Sequence, residues 1–287
     1  MRRIIYSFYI DIPENELDIF DKNILKENQV PTNINTKKQF KENYHKLLAN
    51  KKWYADKIGV EFKMFEYDED FKQYKVRLQT KYPFITTYNV VNFYKLKLLY
   101  ELAKSYDEVL FLDFDVVCLT EKNFFDVFDL NKGIAVYDNS TKVKTIETIT
   151  EYTQTIRSPT SKYYNTQAML LDSGFSSECD VINTGIIGVN KEHLYKLAYF
   201  NNFEQDMIKM TQLKFDTSVF PKKIVDYFGY DNETLFGFKL KQNNVPVQWL
   251  DDKWHYFFDR ELFIPKDTKF IHAINKRFDI VWRNIYD

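Results

Sequence analysis

The sequence predicts an α/β protein with a mixed central sheet flanked by helices, and three observations carry that expectation. Short apolar runs at 109–112, 134–137 and 181–189 alternate with stretches of helical periodicity. Within 88–106, Val91, Tyr94, Leu98 and Leu102 recur at helical spacing, with Lys95, Glu101 and Lys104 between them. The 287 residues are 45% hydrophobic and 28% charged, enough to bury a core and too apolar for a disordered chain.

Residues 3–10 are rich in β formers and predict the first core strand. Residues 37–58 predict a polar helix with scattered apolar positions, and 60–65 a second strand. After the helix at 88–106, Asp107 and Glu108 lead into Val109-Leu110-Phe111-Leu112. That run is too short for a helix and apolar throughout, as in a strand buried on both faces. Residues 134–137 predict another short strand. Residues 139–180 carry Ser, Thr, Asn and Lys without clear periodicity, which predicts a long excursion over the sheet edge. Its Tyr152, Tyr163 and Tyr164 are candidate ring faces for a sugar. Strand character returns at 181–189, broken by Gly185 and Gly188. Helices at 191–201 and 231–240, a strand at 247–250 and a segment at 270–282 that opens like a strand follow. No repeat or interdomain linker interrupts the chain.

Composition excludes some functions. Net charge is −1, without the basic excess of a general nucleic-acid binder. No apolar run approaches the roughly 20 residues of a membrane helix, and Asp11, Glu14 and Glu16 spoil the N-terminus as a signal peptide. Cys118 and Cys179 form no metal-type pair, which points to a reducing, cytoplasmic setting. The 26 Phe and 21 Tyr rise together with Lys, Asn and Ile, as codon bias in an AT-rich genome would produce.

The strongest local signal is Phe111-Leu112-Asp113-Phe114-Asp115-Val116-Val117. Two carboxylates two apart at a strand end share a direction, because strand side chains alternate. Open α/β sheets bind ligands beyond the carboxyl ends of their strands. Hard oxygen ligands there suit Mg²⁺ or Mn²⁺, which bridge to a diphosphate. The alternative is a strand-ending turn in which Asp side chains satisfy backbone N–H groups. Burying two carboxylates without a cation is costly, which favours the metal.

With Phe93-Tyr94-Lys95-Leu96 and Tyr106-Asp107-Glu108-Val109-Leu110 ahead of the Asp pair, the sequence resembles glycosyltransferase family 8 over roughly 88–282. These are retaining enzymes of the glycogenin and lipooligosaccharide galactosyltransferase type. The resemblance implies the GT-A nucleotide-diphospho-sugar transferase fold as a single domain over 1–287. A nucleotide-binding half, 1–120, would end in the Asp-x-Asp motif, and 121–287 would hold the donor sugar and acceptor.

Further matches follow that pattern. Asn183-Thr184-Gly185 fits a family element that contacts the donor sugar, where glycine lets backbone approach a ligand. Asp231-Asn232-Glu233 stands where the family carries Asp-Gln-Asp, so Asp231 would bind sugar hydroxyls and Asn232 would lie near the anomeric carbon. Capping of a helix by Asp231 is compatible with that role. His272 matches the family's third metal ligand beside Asp113 and Asp115. Lys276 or Arg277 would meet the diphosphate, although Asn275 replaces a glycine, the lysine is two positions early and the family's proline is absent. Asp138 ends a strand whose family counterpart contacts the donor sugar. Lys95 stands at an arginine position, without the bidentate fork.

The resemblance implies a UDP-sugar donor, Mn²⁺ or Mg²⁺, transfer of glucose or galactose with retention, and a glycan, lipid or protein acceptor. Two other classes stay open, and a nucleotidyltransferase of related fold is a third option, although its Gly-rich phosphate loop is missing near the N-terminus. A haloacid-dehalogenase-type phosphatase also uses a strand ending in Asp-x-Asp, with a later acidic pair for which Asp251-Asp252 is the candidate. A non-catalytic sugar-nucleotide-fold protein would bind donor without turnover.

Overall fold

A computed structural model describes residues 1–16, 32–143, 158–215, 228–258 and 261–286. Strand β1 (Arg3–Tyr9) pairs in parallel with β2 (Glu61–Glu66) and β3 (Glu108–Leu112). The other edge of β3 pairs antiparallel with β6 (Ile182–Asn190), which pairs antiparallel with β5 (Ile134–Asp138). β7 (Val247–Trp249) closes the sheet in parallel with β5, giving the order β2-β1-β3-β6-β5-β7. A second sheet, β4-β9-β8, is built from Val116–Cys118, Phe270–His272 and Tyr256–Phe257.

Every residue of β3 is buried. Alternation sends Val109 and Phe111 into one core and Leu110 and Leu112 into the other. The first core also holds Val90, Phe93, Leu98 and Leu99 of helix α3 (Thr87–Leu102), whose start is fixed by a reciprocal cap between Thr86 and Asn89. Helix α2 (Glu69–Lys81) packs Phe71, Tyr74 and Leu78 into the same core. On the other side, Tyr54 and Ala55 of helix α1 (Thr32–Ile58) meet Leu110 and Leu112.

Several sequence expectations need correction. Residues 139–180 are not all irregular: helix α5 (Ser158–Asp172) packs against α8 (Asn232–Gln242). Its buried face includes Thr160, Asn165 and Thr166 beside Ala168, Met169 and Leu170, so polar core positions hide the period. Tyr152 lies outside the described residues, and Tyr163 and Tyr164 belong to α5. β6 is continuous, and its glycines clear space for side chains. A Cβ at Gly188 would stand 2.4 Å from the Phe124 ring of the short helix α4 (Phe124–Val127). Helix α6 (Lys191–Leu197) stops before 201 because Ala198 turns left-handed at φ 49°. Helices α7 (Phe203–Phe215) and α9 (Phe278–Tyr286), with short 3-10 turns at Glu14–Glu16, Leu130–Lys132 and Ser140–Lys142, complete the described elements. No described helix is long and apolar enough to cross a membrane.

Helix α1 also braces the segment that follows β3. Lys51 is fully buried, and its Nζ donates to the carbonyls of Phe114 and Val116, both at 2.8 Å. Asn50 brackets Cys118, accepting from its N–H at 2.7 Å and donating to its carbonyl at 2.9 Å. Burial pushes the Lys51 ammonium down from 10.5 to about 8, against the pull of Cys118, Asp115 and Asp113. Below about pH 8, folded and unfolded chains both hold this proton. Between about 8 and 10.5 only the unfolded chain holds it, so stability rises with pH across that window. Relative to Lys51→Met, we predict that the natural chain gains up to roughly 3 kcal/mol over this range in urea unfolding. A pH-independent difference between the two chains would contradict the burial of a charged amine.

Candidate active site

The Asp pair sits in a tight turn between β3 and β4. Val116 N–H donates to the Asp113 carbonyl at 2.9 Å, and Asp113 N–H donates to the Gly185 carbonyl at 2.8 Å. The carboxylates therefore converge through a turn, not through strand alternation, and the turn and metal readings of this motif coexist. Phe114 points away and stacks on Tyr9 at 5.2 Å. Asp115 is buried and Asp113 is partly exposed.

His272 arrives from the second sheet. Its Nε2 lies 3.4 Å from Asp115 Oδ2 and 3.9 Å from Asp113 Oδ2. One ligand atom from each of Asp113, Asp115 and His272 can be chosen so that all lie within 4.8 Å of one another. Two hard carboxylates and one imidazole form a donor set that fits a divalent cation. The third side of this triangle depends on Gly185: a Cβ there would meet His272 Cε1 at 2.4 Å and Nδ1 at 2.7 Å. The glycine makes room for the imidazole, a use distinct from the expected approach to a ligand.

Two lysines flank the carboxylates. Lys276 Nζ donates to Asp115 Oδ2 at 2.5 Å and to the Ile274 carbonyl at 3.0 Å, from a backbone at φ 56°. Lys95 is buried, with its Nζ 3.7 Å from Asp113 Oδ1, and it donates to the Thr184 carbonyl at 3.2 Å. Burial opposes charge on both acids. For Asp115, Lys276 and His272 outweigh it and hold the carboxyl well below the usual carboxylate range. For Asp113, burial and the charge of Asp115 win over Lys95, and the carboxyl is pushed up. Of the two C-terminal candidates, Lys276 reaches the cluster, whereas Arg277 lies beside Asp279 at 4.0 Å.

A second polar cluster adjoins the first through β6. Thr184 N–H and Oγ1 donate to Glu233 Oε1 at 2.6 and 3.0 Å, and Lys162 of α5 pairs with the same carboxylate. Asn232 Nδ2 donates to Thr184 Oγ1 at 3.0 Å, and Tyr199 OH donates to the Asn232 carbonyl. Asp231 caps α8, accepting from the N–H groups of Glu233 and Thr234. Burial and neighbouring Glu233 push Asp231 up despite Lys162, whereas Lys162 overrides burial and holds Glu233 down. Asn183 Oδ1 accepts from Gly185 N–H at 2.9 Å. Asp138 accepts from Ser140 N–H, Ser140 Oγ and Val181 N–H, which ties the end of β5 to the start of β6.

Thus Lys95, Asp113, Asp115, Thr184, Gly185, His272 and Lys276 gather at one place, with Asn183, Asp231 and Asn232 joined to them through β6 and α8. Sequence reasoning missed Lys162, Lys51 and His255, which have no local motif of their own, and gave Glu233 no role. The position of Glu233, third in an acidic-amide triplet, was the one available signal.

Gly185→Ala is predicted to lose about 1–3 kcal/mol of stability in denaturant unfolding, because the added methyl overlaps the His272 ring. An unchanged midpoint with unchanged binding of a divalent cation would contradict this packing.

No protein-family model matches the chain, and no curated protein matches it. Solved structures do resemble it. One is a glycosyltransferase involved in glycosylation of the major capsid of PBCV-1, 13% identical, covering 98% of this chain and 100% of the other at a TM-score of 0.43. A second is the galactosyltransferase LgtC, 12% identical, covering 94% and 86% at a TM-score of 0.45. A third is mouse xyloside xylosyltransferase 1, 10% identical, covering 74% and 76% at a TM-score of 0.40.

Proposed function

We propose that this chain is a metal-dependent glycosyltransferase of GT-A architecture that moves a hexose, glucose or galactose, from a UDP-sugar to a glycan, lipid or protein acceptor with retention. The observation that carries this reading is the convergence of Asp113, Asp115 and His272 at the end of the buried strand β3, with Lys276 against Asp115. Further support comes from the motif resemblance to glycosyltransferase family 8.

Transfer breaks the bond between the anomeric carbon and the diphosphate, whose oxygen keeps the electron pair. The acceptor hydroxyl forms the new bond on the same face, and its proton passes to the departing diphosphate. Asp113, Asp115 and His272 would hold a divalent cation, Mn²⁺ or Mg²⁺, which would supply charge neutralisation for the leaving group. Lys276 adds a second positive charge beside the same site. Lys95 joins the carboxylate turn to the Thr184 backbone, so the phosphate end and the sugar end hold a fixed spacing. Asp231 and Asp138 are assigned to sugar hydroxyls, and Asn232 to the region of the anomeric carbon.

The phosphatase alternative needs a later acidic pair beside Asp113. Asp251 instead accepts from the N–H groups of Lys253 and Trp254, and Asp252 accepts from Tyr137 OH. Neither residue belongs to the cluster of Asp113, Asp115 and His272, the one group of potential metal ligands among the described residues.

The reading predicts Mn²⁺-stimulated release of UDP from at least one member of a UDP-sugar panel. Asp113→Asn should lower that rate by on the order of 100-fold or more. Hydrolysis of p-nitrophenyl phosphate without sugar-nucleotide turnover would favour the phosphatase. Thermal stabilisation by UDP and Mn²⁺ with no turnover on any donor and a broad acceptor panel would favour a binding protein.

A further inference from the structure

His255, in the turn between β7 and β8, is fully buried and touches a candidate metal ligand. Its Nε2 lies 2.9 Å from His272 Nδ1. Its ring stacks on Phe257 at 4.6 Å and 19°, and Tyr137 packs against it at 5.0 Å. Its own backbone N–H donates to the Asp251 carbonyl at 3.0 Å, which fixes the turn that carries it. Its remaining nitrogen, Nδ1, is buried and has no hydrogen-bond partner among the described residues.

A hydrogen bond between two neutral imidazoles holds one proton, and it can be arranged in two ways. In one, His272 carries the proton on Nδ1 and donates it to His255 Nε2. His272 Nε2 then presents its lone pair to Asp113 and Asp115. In the other, His255 carries the proton on Nε2. His272 Nε2 then bears an N–H toward Asp115, 3.4 Å away, and has no lone pair for a cation.

We propose that His255 is the positioning residue that accepts the His272 Nδ1 proton and so holds the tautomer able to ligate a divalent cation. This rests on the metal-dependent reading given above. Metal-bound histidines commonly lean on a carboxylate or a carbonyl for this purpose. Here a carboxylate would add a third buried negative charge beside Asp113 and Asp115, at a high cost in desolvation and repulsion. A neutral imidazole supplies the acceptor without that charge. Phe257 and Tyr137 hold the ring in place, so the acceptor is pre-aimed at His272. The orphaned His255 Nδ1 is the proton-bearing atom in this arrangement, and its unsatisfied position is the local cost of the device.

The test is calorimetric titration of Mn²⁺ in the presence of UDP, with the natural chain, His255→Phe and His255→Gln. Phe fills the slot between Phe257 and Tyr137 without an acceptor, and Gln offers a carbonyl oxygen near the place of Nε2. The Phe variant is expected to bind Mn²⁺ about 10- to 100-fold more weakly, with Gln restoring most of that loss. Wild-type affinity in the Phe variant, or equal losses in Phe and Gln, would overturn the role of His255 while leaving the metal site standing. A natural chain that takes up no Mn²⁺ would overturn both. If the Phe variant does not fold, ¹⁵N NMR of the natural chain with saturating Mg²⁺ decides. A proton on His255 Nδ1, with its Nε2 bare toward His272, supports the proposal, and a proton on His255 Nε2 overturns it.

Discussion

The mutual repulsion of Asp113 and Asp115 is the constraint around which the site is built. Two like charges about 4 Å apart repel by roughly 4 kcal/mol in a protein-like medium, and burial adds to that cost. The chain counters it from several elements at once. Lys95 comes from the middle of α3, Lys276 from the C-terminal segment, and Lys51 from α1, where it grips backbone carbonyls of the same turn. The result is an unequal pair, with Asp115 held charged and Asp113 pushed toward keeping its proton. Such a pair gains most from a divalent cation, which relieves the repulsion that side chains only partly offset.

The small second sheet is what brings the third candidate ligand, His272, to that pair. β4 begins immediately after Asp115 and pairs antiparallel with β9 so that Val116 stands opposite His272. A slip of one residue would turn the imidazole to the other face and leave the carboxylates without it. The backbone bond from Ala273 N–H to the Asp115 carbonyl, at 3.0 Å, fixes that register at its critical end. Gly185 then leaves the space the ring occupies. The site is thus set by strand register and one missing methyl group, together with the charges.

Much of this was legible in the sequence where one physical signal dominated. Val109-Leu110-Phe111-Leu112 reads as a doubly buried strand because both of its faces enter cores, and α3 reads as a helix because its polar residues space its apolar ones. Asp113 and Asp115 were visible because acids flanked by apolar residues are expensive. Other features were hidden for equally physical reasons. α5 turns Thr160, Asn165 and Thr166 inward, so its buried face does not look apolar. Lys51 looks like a solvated lysine on a polar helix, and its burial follows from two carbonyls more than 60 residues away in the chain. His255 matters through a contact 17 residues distant that no local pattern announces. Long-range partners of single polar residues are what sequence alone does not contain.

The most direct test of the account is anomalous diffraction at the manganese edge from a crystal grown with Mn²⁺ and UDP. The account predicts a peak within about 2–2.5 Å of one oxygen from each of Asp113 and Asp115 and of His272 Nε2. Bound UDP with no anomalous peak between those three side chains would contradict it.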